Sequence, residues 1–341
     1  MKLMKTEEAV GQVLCHDITQ IIKGVTKDAV FRKGHIIREE DVPVLLSVGK
    51  DHVYIWENNE NMLHENDAAE YLRAICQSEN MHPTEPKEGK IELIADIDGL
   101  FIADLDKLRA VNSLGDMMIA TRPSGFMVKA GDKLCGTRVI PLVIEKARME
   151  KAKEVAGDEP IMQLHPVRPR TFGVVTTGNE VFYGRIQDTF TPVIEEKLRE
   201  FGCEMIEHIT VDDNNDKITE AIKTCLDKGC EMVFCSGGMS VDPDDKTPLA
   251  IRNAGANVVS YGAPVLPGAM FMVSYMPDGR PVCGLPGCVM YSKRTIFDLC
   301  LPYLVTDVKI TPEFLAGLGN GGLCLNCPVC HFPNCGFGKG R

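Results

Sequence analysis

The 341-residue sequence is 44% hydrophobic and 25% charged, and its 37 basic against 48 acidic side chains give a net charge of −11. These values describe a soluble protein of two or three domains, each long enough to bury its own core. No basic stripe is present to neutralise a phosphate backbone, so no nucleic-acid partner is expected, and no apolar run nears the ~20 residues of a membrane helix.

In chain order, the polar start Met1–Glu8 lacks the apolar centre of a signal peptide, and the expected location is cytoplasmic. Residues 1–80 read as a first α+β unit. Gly11–Leu14 and Phe31–Ile37 form short strands, Glu39–Ser47 a helix ending near Gly49, and His52–Trp56 a strand, with Trp56 packing. Asn66–Cys76 sets Ala68, Ala69, Leu72 and Ile75 at three-to-four spacing, which predicts a helix buried along one face. Ser78–Lys90 mixes proline and glycine with polar residues and reads as a linker.

A small β-rich unit is expected over 90–148. It comprises strand Ile91–Ala95, helix Ala103–Val111, strand Met117–Ala120 and a hairpin over Gly125–Lys133. The charged run from Lys151 to Glu159 reads as a solvated helix end or linker. From Arg170 the pattern changes to strand–loop–helix alternation, and 169–305 reads as one domain. Its strands are Phe172–Thr176, Cys203–Ile209, Glu231–Cys235, one near Val258–Val259 and the hairpin Met270–Val282. Its helices are Pro192–Phe201, Asp216–Lys228, Thr247–Asn253 and Met290–Leu301. The alternation predicts βαβ crossovers and an α/β fold with a three-layer, mostly parallel sheet.

Four segments of this domain place glycines with small or acidic residues just after an apolar run. They are Thr176–Glu180, Ser236–Gly238 with Asp242 to Thr247, Gly262–Gly268, and Gly284–Gly287. One such loop is explained by a tight turn. Four at the ends of consecutive strands describe the rim of a parallel sheet, where free N–H groups attract an anion. Glu180, Asp212, Asp213, Asp242, Asp244 and Asp245 crowd the same rim and would repel a phosphate unless Mg2+ stood between, held by one or two carboxylates. Such a metal neutralises charge developing in phosphoryl or adenylyl transfer, or holds an oxyanion such as molybdate. Asp245 also suits an N-cap for the helix containing Thr247.

Residues 170–305 resemble the molybdopterin-binding domain shared by molybdopterin adenylyltransferases, molybdopterin molybdenumtransferases and the competence-damage-inducible family. The likeness rests on Thr177-Gly178-Asn179-Glu180 with Gly184 and Asp188, on Asp212-Asp213, and on Ser236-Gly237-Gly238-Met239-Ser240-Val241. It continues through Asp244-Asp245-Lys246-Thr247-Pro248, Pro264–Gly268 and Gly284-Leu285-Pro286-Gly287. The resemblance implies that Glu180, Asp213 and Asp245 position Mg2+ or molybdate. It implies pterin contacts from Thr177, Gly178, Asn179, Ser236, Gly237, Gly238, Ser240, Asp244, Thr247, Pro267, Gly268, Gly284, Leu285, Pro286 and Gly287. Gly34–Ile55 also resembles a stretch just upstream of this domain in the molybdenumtransferases. The sequence departs from the pattern at Asn179, where Asp is usual, and at Cys288-Val289, where Asn-Pro is usual. The Asp-Gly-Tyr segment of the molybdenumtransferase small domain has only Asp98-Gly99-Leu100 as a poor substitute. The implied role is in molybdenum-cofactor biosynthesis, with molybdate insertion into molybdopterin as the step. Mg-ATP-dependent adenylyl transfer and a non-enzymatic cofactor carrier or redox sensor are the alternatives. A molybdoenzyme partner and homo-oligomerisation belong to the same expectation.

Of fourteen cysteines, ten are scattered singly as small buried hydrophobes would be, and Cys324, Cys327, Cys330 and Cys335 fall within twelve residues. In a cytosolic chain such a cluster points to a metal rather than a disulfide framework. The spacing suits a 4Fe–4S cluster or tetrahedral Zn2+, with His331 a substitute ligand. The glycine-rich Gly317–Gly322 reads as a flexible tether to a separate 320–341 tail. His165 and His208 stand in no metal-like spacing and read as structural or surface residues rather than ligands.

Overall fold

A computed structural model describes residues 2–22, 24–55, 60–240 and 245–340; Trp56, Val241, Asp242 and Asp244 lie outside the described residues. The chain divides into two compact units that exchange segments. One holds the chain up to Ile94 with Asp104–Arg122 and Lys133–Gln163, and the other holds Ala95–Ala103, Pro123–Asp132 and everything from Leu164 onward. The region expected as a separate unit over 90–148 is therefore divided between them. Phe126–Val128 pairs with Gly99–Ala103, whereas Lys133–Val139 pairs with Lys90–Ala95 and Met117–Thr121. The hairpin expected over 125–133 does not form for that reason.

In the first unit, the strands near the start are Lys2–Lys5, Ile18–Ile22, Thr26–Phe31 and His52–Ile55. The strands expected at 11–14 and 31–37 shrink to isolated bridges, Val13 with Ile36 and Leu14 with Ile55, and to Phe31 at the end of strand Thr26–Phe31. Leu14, Ile18, Ile37, Leu45, Val53 and Ile55 close a small core there. Helix Glu65–Cys76 is capped by His64, whose Nδ1 accepts from the Asn66 N–H at 3.2 Å. The charged run belongs to helix Lys146–Ala156, which buries Met149, Ala152 and Ala156 and turns its lysines to solvent.

The second unit carries the α/β domain. Its elements are β1 (Thr171–Thr177), α1 (Asn179–Phe182), α2 (Phe190–Arg199), β2 (Glu204–Val211), α3 (Asn215–Asp227) and β3 (Met232–Ser236). They continue with α4 (Thr247–Asn253), β4 (Asn257–Tyr261), β5 (Met272–Tyr275), β6 (Pro281–Leu285), α5 (Ile296–Leu304) and α6 (Pro312–Gly317). The sheet order is β2-β1-β3-β6-β5-β4. The first four strands run parallel; β5 is antiparallel to both of its neighbours, so β4 runs in the same direction as the first four. A tight turn at Gly279 (φ +92°) joins β5 to β6 and is too short for a parallel crossover.

Alternate residues of the strands feed two cores. Phe172, Val174, Phe234 and Leu285 pack with Ile194 and Leu198 of α2 and Phe297 of α5. Val175, Val233 and Cys235 pack with Ile218 and Ile222 of α3 and Ile251 of α4. Strands buried on both faces read as unbroken apolar runs, and each large side chain so buried contributes about 1.5–3 kcal/mol. Because α2 covers one face and α3 the other, the chain leaves β1 toward β2 and then crosses back over it to β3. The carboxyl ends of β1 and β3 thus flank a topological switch point, where open α/β sheets form their ligand crevice.

Helix α5 begins later than the expected Met290. Residues Gly287–Met290 form one 3-10 turn, and Thr295 then caps α5 with reciprocal bonds involving Asp298 and Phe297. The Gly317–Gly322 segment is not a loose tether. Leu318 is fully buried, Leu266 N–H donates to the Gly322 carbonyl at 2.9 Å, and Cys324 N–H donates to the Leu266 carbonyl at 2.8 Å. A Cβ at Gly322 would stand 2.4 Å from the Pro264 carbonyl oxygen, so glycine serves close packing there.

Candidate functional site

The strand register brings the loops to one edge of the sheet. Thr177 pairs with Val211, Thr176 with Ser236, Ser236 with Leu285, Gly284 with Met272, and Met272 with Tyr261. The loops after β1, β2, β3 and β6, with the connection from β4 to β5, all leave from that row. Glu180 follows β1, Asp213 follows β2, and Asp245 lies between β3 and α4.

The crevice between β1 and β3 is held by backbone and hydroxyl contacts. Gly237 has φ +88°, and a Cβ there would stand 2.1 Å from the Thr177 carbonyl oxygen. Gly238 has φ +55°, and its Cβ would stand 2.8 Å from Thr247 Oγ1. Both positions demand glycine through conformation and space together. The fully buried Thr247 hydroxyl donates to the Gly237 carbonyl at 2.8 Å and lies 3.2 Å from the Thr177 hydroxyl. Ser236 is 1% exposed, and its Oγ has no hydrogen-bond partner among the described residues. Leaving such a group unmatched costs about 1–3 kcal/mol.

The carboxylates divide by partner. Asp213 Oδ2 accepts from the Asn179 N–H at 3.0 Å, which ties the loop after β2 to the turn after β1. Glu180 is exposed, and its carboxylate lies over Gly178 (φ +138°), 3.0 Å from where a Cβ would stand. Asp245 is half-buried, and its charge, after burial itself, raises the pKa of Tyr261. The Tyr261 hydroxyl donates to the Met239 carbonyl at 2.8 Å and the Ser240 carbonyl at 3.3 Å, securing the loop after β3. Asp212 accepts from Lys217 at 2.7 Å through Oδ2, while its buried Oδ1 has no partner among the described residues. Among the described residues, no group of three or more His, Cys, Asp or Glu side chains is arranged to hold a metal ion.

Beneath the β1 turn lies a network that sequence reasoning passed over. Thr176 Oγ1 lies 3.0 Å from Asp188 Oδ2, 3.1 Å from Thr191 Oγ1 and 3.0 Å from His208 Nε2. Asp188 also accepts from the backbone N–H groups of Phe190 and Thr191 at 2.8 and 3.1 Å. Burial disfavours its charge, yet the bonds from His208, the Thr191 hydroxyl and the two N–H groups prevail and hold the carboxyl far below its usual range. His208, expected to be structural or at the surface, is held here in a structural network. Nothing in sequence marks Tyr261 for the contact it makes, because its partner loop after β3 lies some twenty residues earlier; Lys217, five residues after Asp212, makes a local pair that sequence reasoning passed over.

Other expected contacts resolve differently. Leu285 is fully buried in the core. A Cβ at Gly284 would stand 2.4 Å from the Met239 side chain, and one at Gly268 2.5 Å from Ile296. These three residues serve packing. Gly287 is exposed with nothing within 4 Å of its would-be Cβ, and Pro286 is buried. The Pro267 carbonyl accepts from the Ile296 N–H at 3.2 Å. Ser240 is exposed, and Asp244 lies outside the described residues. Nine of the ten scattered cysteines are buried and Cys288 is half-buried; burial pushes the Cys135 and Cys225 thiols up to about 12.

Residues 173–306 match the family described as "Probable molybdopterin binding domain", and residues 3–57 match a domain family of unknown function. Curated relatives include CinA-like proteins. One from Mycobacterium avium is 39% identical over 83 residues, covering 24% of this chain and 19% of the relative. Another, from Mycobacterium tuberculosis, is 37% identical over 89 residues, covering 26% and 20%. The chain spans about a fifth of the length of these relatives. Similar solved structures include the molybdopterin biosynthesis enzyme MoaB from Thermus thermophilus, at 22% identity and TM-score 0.35, covering 40% of this chain and 91% of that one. The tungsten cofactor synthesizing protein MoaB from Pyrococcus furiosus shows 20% identity and TM-score 0.31, covering 36% and 84%. No helix among the described residues is long and apolar enough to cross a membrane.

Proposed function

We propose, on the premise that residues 173–306 belong to the molybdopterin-binding domain family, that the crevice between β1 and β3 binds molybdopterin through its phosphate for molybdate insertion. The observation that carries this reading is the shared row of strand ends, on which the β1 and β3 loops meet at the switch point. The residues suit an anion. Gly237 and Gly238 keep side chains out of the crevice, and the Ser236 hydroxyl offers a donor with no acceptor among the described residues.

In this reading the backbone of Gly178, Gly237 and Gly238 grips the phosphate, the Asn179 N–H is tied to Asp213, and Thr177 and Thr247 fix the loops. Asp213 and Asp245, with Glu180 above the β1 turn, offer the carboxylates that Mg2+ bridged to a phosphate needs, one or two being sufficient. When bound there, Mg2+ would offset the charge of the phosphate and the incoming oxyanion. The carboxylates orient, and the loops exclude water from the phosphate.

The test is titration of the full chain with molybdopterin, with and without Mg2+ and molybdate, against Asp245→Ala. The variant is expected to bind pterin at least about tenfold more weakly and to lose molybdate incorporation, a difference of ~1.4 kcal/mol. Unchanged affinity and incorporation would remove Asp245 from the site. Adenylylated pterin formed from Mg-ATP would replace insertion with adenylyl transfer, and tight binding with no product of either kind would make the protein a carrier.

A further inference from the structure

The clustered Cys324, Cys327, Cys330 and Cys335 line a cavity of about 550 Å³, yet among the described residues they form no group of three or more that could hold a metal ion. The feature that points to a ligand lies instead on the turn after β1. Of the chain's thirteen phenylalanines, Phe182 is the only one exposed among the described residues, and Tyr183 beside it is 60% exposed. Ile186, three residues on, is exposed as well. Isolated apolar side chains at a surface are ordinary, but an aromatic pair grouped beside a crevice is what a flat ring would stack on.

The pair is held rigidly. The two rings meet edge to face, with 5.2 Å between their centres. Backbone bonds fix the turn that carries them. Phe182 N–H donates to the Gly178 carbonyl at 2.9 Å, Tyr183 N–H to that of Asn179 at 3.1 Å, and Arg185 N–H to that of Glu180 at 2.9 Å. A cation flanks each ring: Lys217 Nζ lies 5.6 Å from the Phe182 ring centre, and the Arg185 guanidinium 5.4 Å from that of Tyr183. Lys217 stands in the first turn of α3, which packs with Val175 of β1. The rings therefore lie at the end of β1, on the face that α3 covers.

We infer, resting on the reading of the β1–β3 crevice as a phosphate site, that Phe182 and Tyr183 form the platform on which the ligand's fused nitrogen ring stacks. The crevice itself is built of Thr177, Gly178, Ser236, Gly237, Gly238 and Thr247, which grip a phosphate but offer a flat ring no apolar face. A pterin carries such a ring on its phosphate arm. Stacking on an aromatic side chain strengthens the binding of a flat heterocycle about tenfold or more. Because the turn is fixed by its own backbone bonds, the platform stands ready before the ligand arrives, and little ordering remains to be done on binding.

The experiment titrates the full chain with molybdopterin, with a pterin lacking the phosphate arm, with inorganic phosphate and with Mg-ATP. Phe182→Ala and Tyr183→Ala are expected to bind both pterins at least about tenfold more weakly and to bind inorganic phosphate as wild type does. Phe182→Tyr and Tyr183→Phe, which keep a ring, are expected to retain pterin affinity, whereas Phe182→Leu is expected to lose it. Thermal unfolding is expected to be unchanged in every variant, since both side chains are exposed. Molybdopterin held equally well by wild type and both alanine variants would overturn the platform and leave the crevice standing. Failure of wild type to bind molybdopterin or phosphate at all would remove the crevice reading and the platform with it. Loss of Mg-ATP affinity without loss of pterin affinity would give the rings to a purine and overturn the assignment. Phosphate affinity falling in step with pterin affinity would overturn it too, because the rings would then only be shaping the turn.

Discussion

The loops after β3 and β6 look alike in sequence, each closing a strand with a pair of glycines, yet the structure uses them differently. At Gly237 and Gly238 the positive φ and the close approach of Thr177 and Thr247 leave no room for a side chain. After β6, Gly284 is filled by the flexible end of Met239, and Gly287 faces open space. A glycine beside a switch point lets two backbones meet, whereas one beyond it makes room for a neighbour or merely turns the chain. The comparison places the site's geometric demand between β1 and β3.

The sharpest way to break that contrast is to add one carbon at each position. Gly237→Ala forces a methyl against the Thr177 carbonyl and a side chain into a left-handed backbone. A loss of at least about 3 kcal/mol is expected from clash and strain together. Gly287→Ala is expected to stay within about 0.5 kcal/mol, as exposed substitutions do. Denaturant unfolding of both variants measures the difference. Equal stabilities would mean that the two loops are interchangeable and that the β1–β3 junction is not tightly closed.

A second prediction concerns the support beneath the β1 turn. The Asp188 carboxyl titrates far below its unfolded value of about 3.9, so its contribution is present above that pH and is lost as pH falls toward the folded value. Asp188→Asn is expected to lower stability by about 2 kcal/mol at pH 7, through weakened bonds to Thr176, Thr191 and the start of α2. The gap between wild type and variant should shrink as the pH is lowered below about 4. Unfolding curves across that range decide it. A gap that persists undiminished in acid would mean that the Asp188 charge is not what secures the turn.

How far these features could be read from sequence depends on their range. The strand–helix alternation from Phe172 to Asn253 was legible because apolar periodicity is local, and Thr247–Asn253 forms the helix its pattern predicts. Glycines flagged a rim, but not which of them meets a backbone: Gly237 needs Thr177, sixty residues earlier, to show why. The segment around Gly317–Gly322 misled because glycine in sequence means freedom, while here it permits the contact between Gly322 and Pro264. The exchange of Gly99–Ala103 and Phe126–Val128 into the second unit was illegible for a like reason. Short strands carry no mark of which sheet they join.

The smallest expected change in stability belongs to Ser236→Ala, which separates binding from folding. The hydroxyl is buried with no partner among the described residues, so its removal deletes no bond seen there and relieves an unmatched group. Stability is expected to stay within about 0.5 kcal/mol or to rise slightly. If a ligand supplies the missing acceptor, molybdopterin should bind about tenfold more weakly, a loss of ~1.4 kcal/mol seen in titration of the folded variant. The pairing of the two readouts matters. Unchanged affinity with unchanged stability would make Ser236 a passive member of the β3 end, leaving anion binding to the glycine backbone alone. A marked fall in stability would show instead that the hydroxyl has a structural partner, such as an ordered water bridging the β1 and β3 loops.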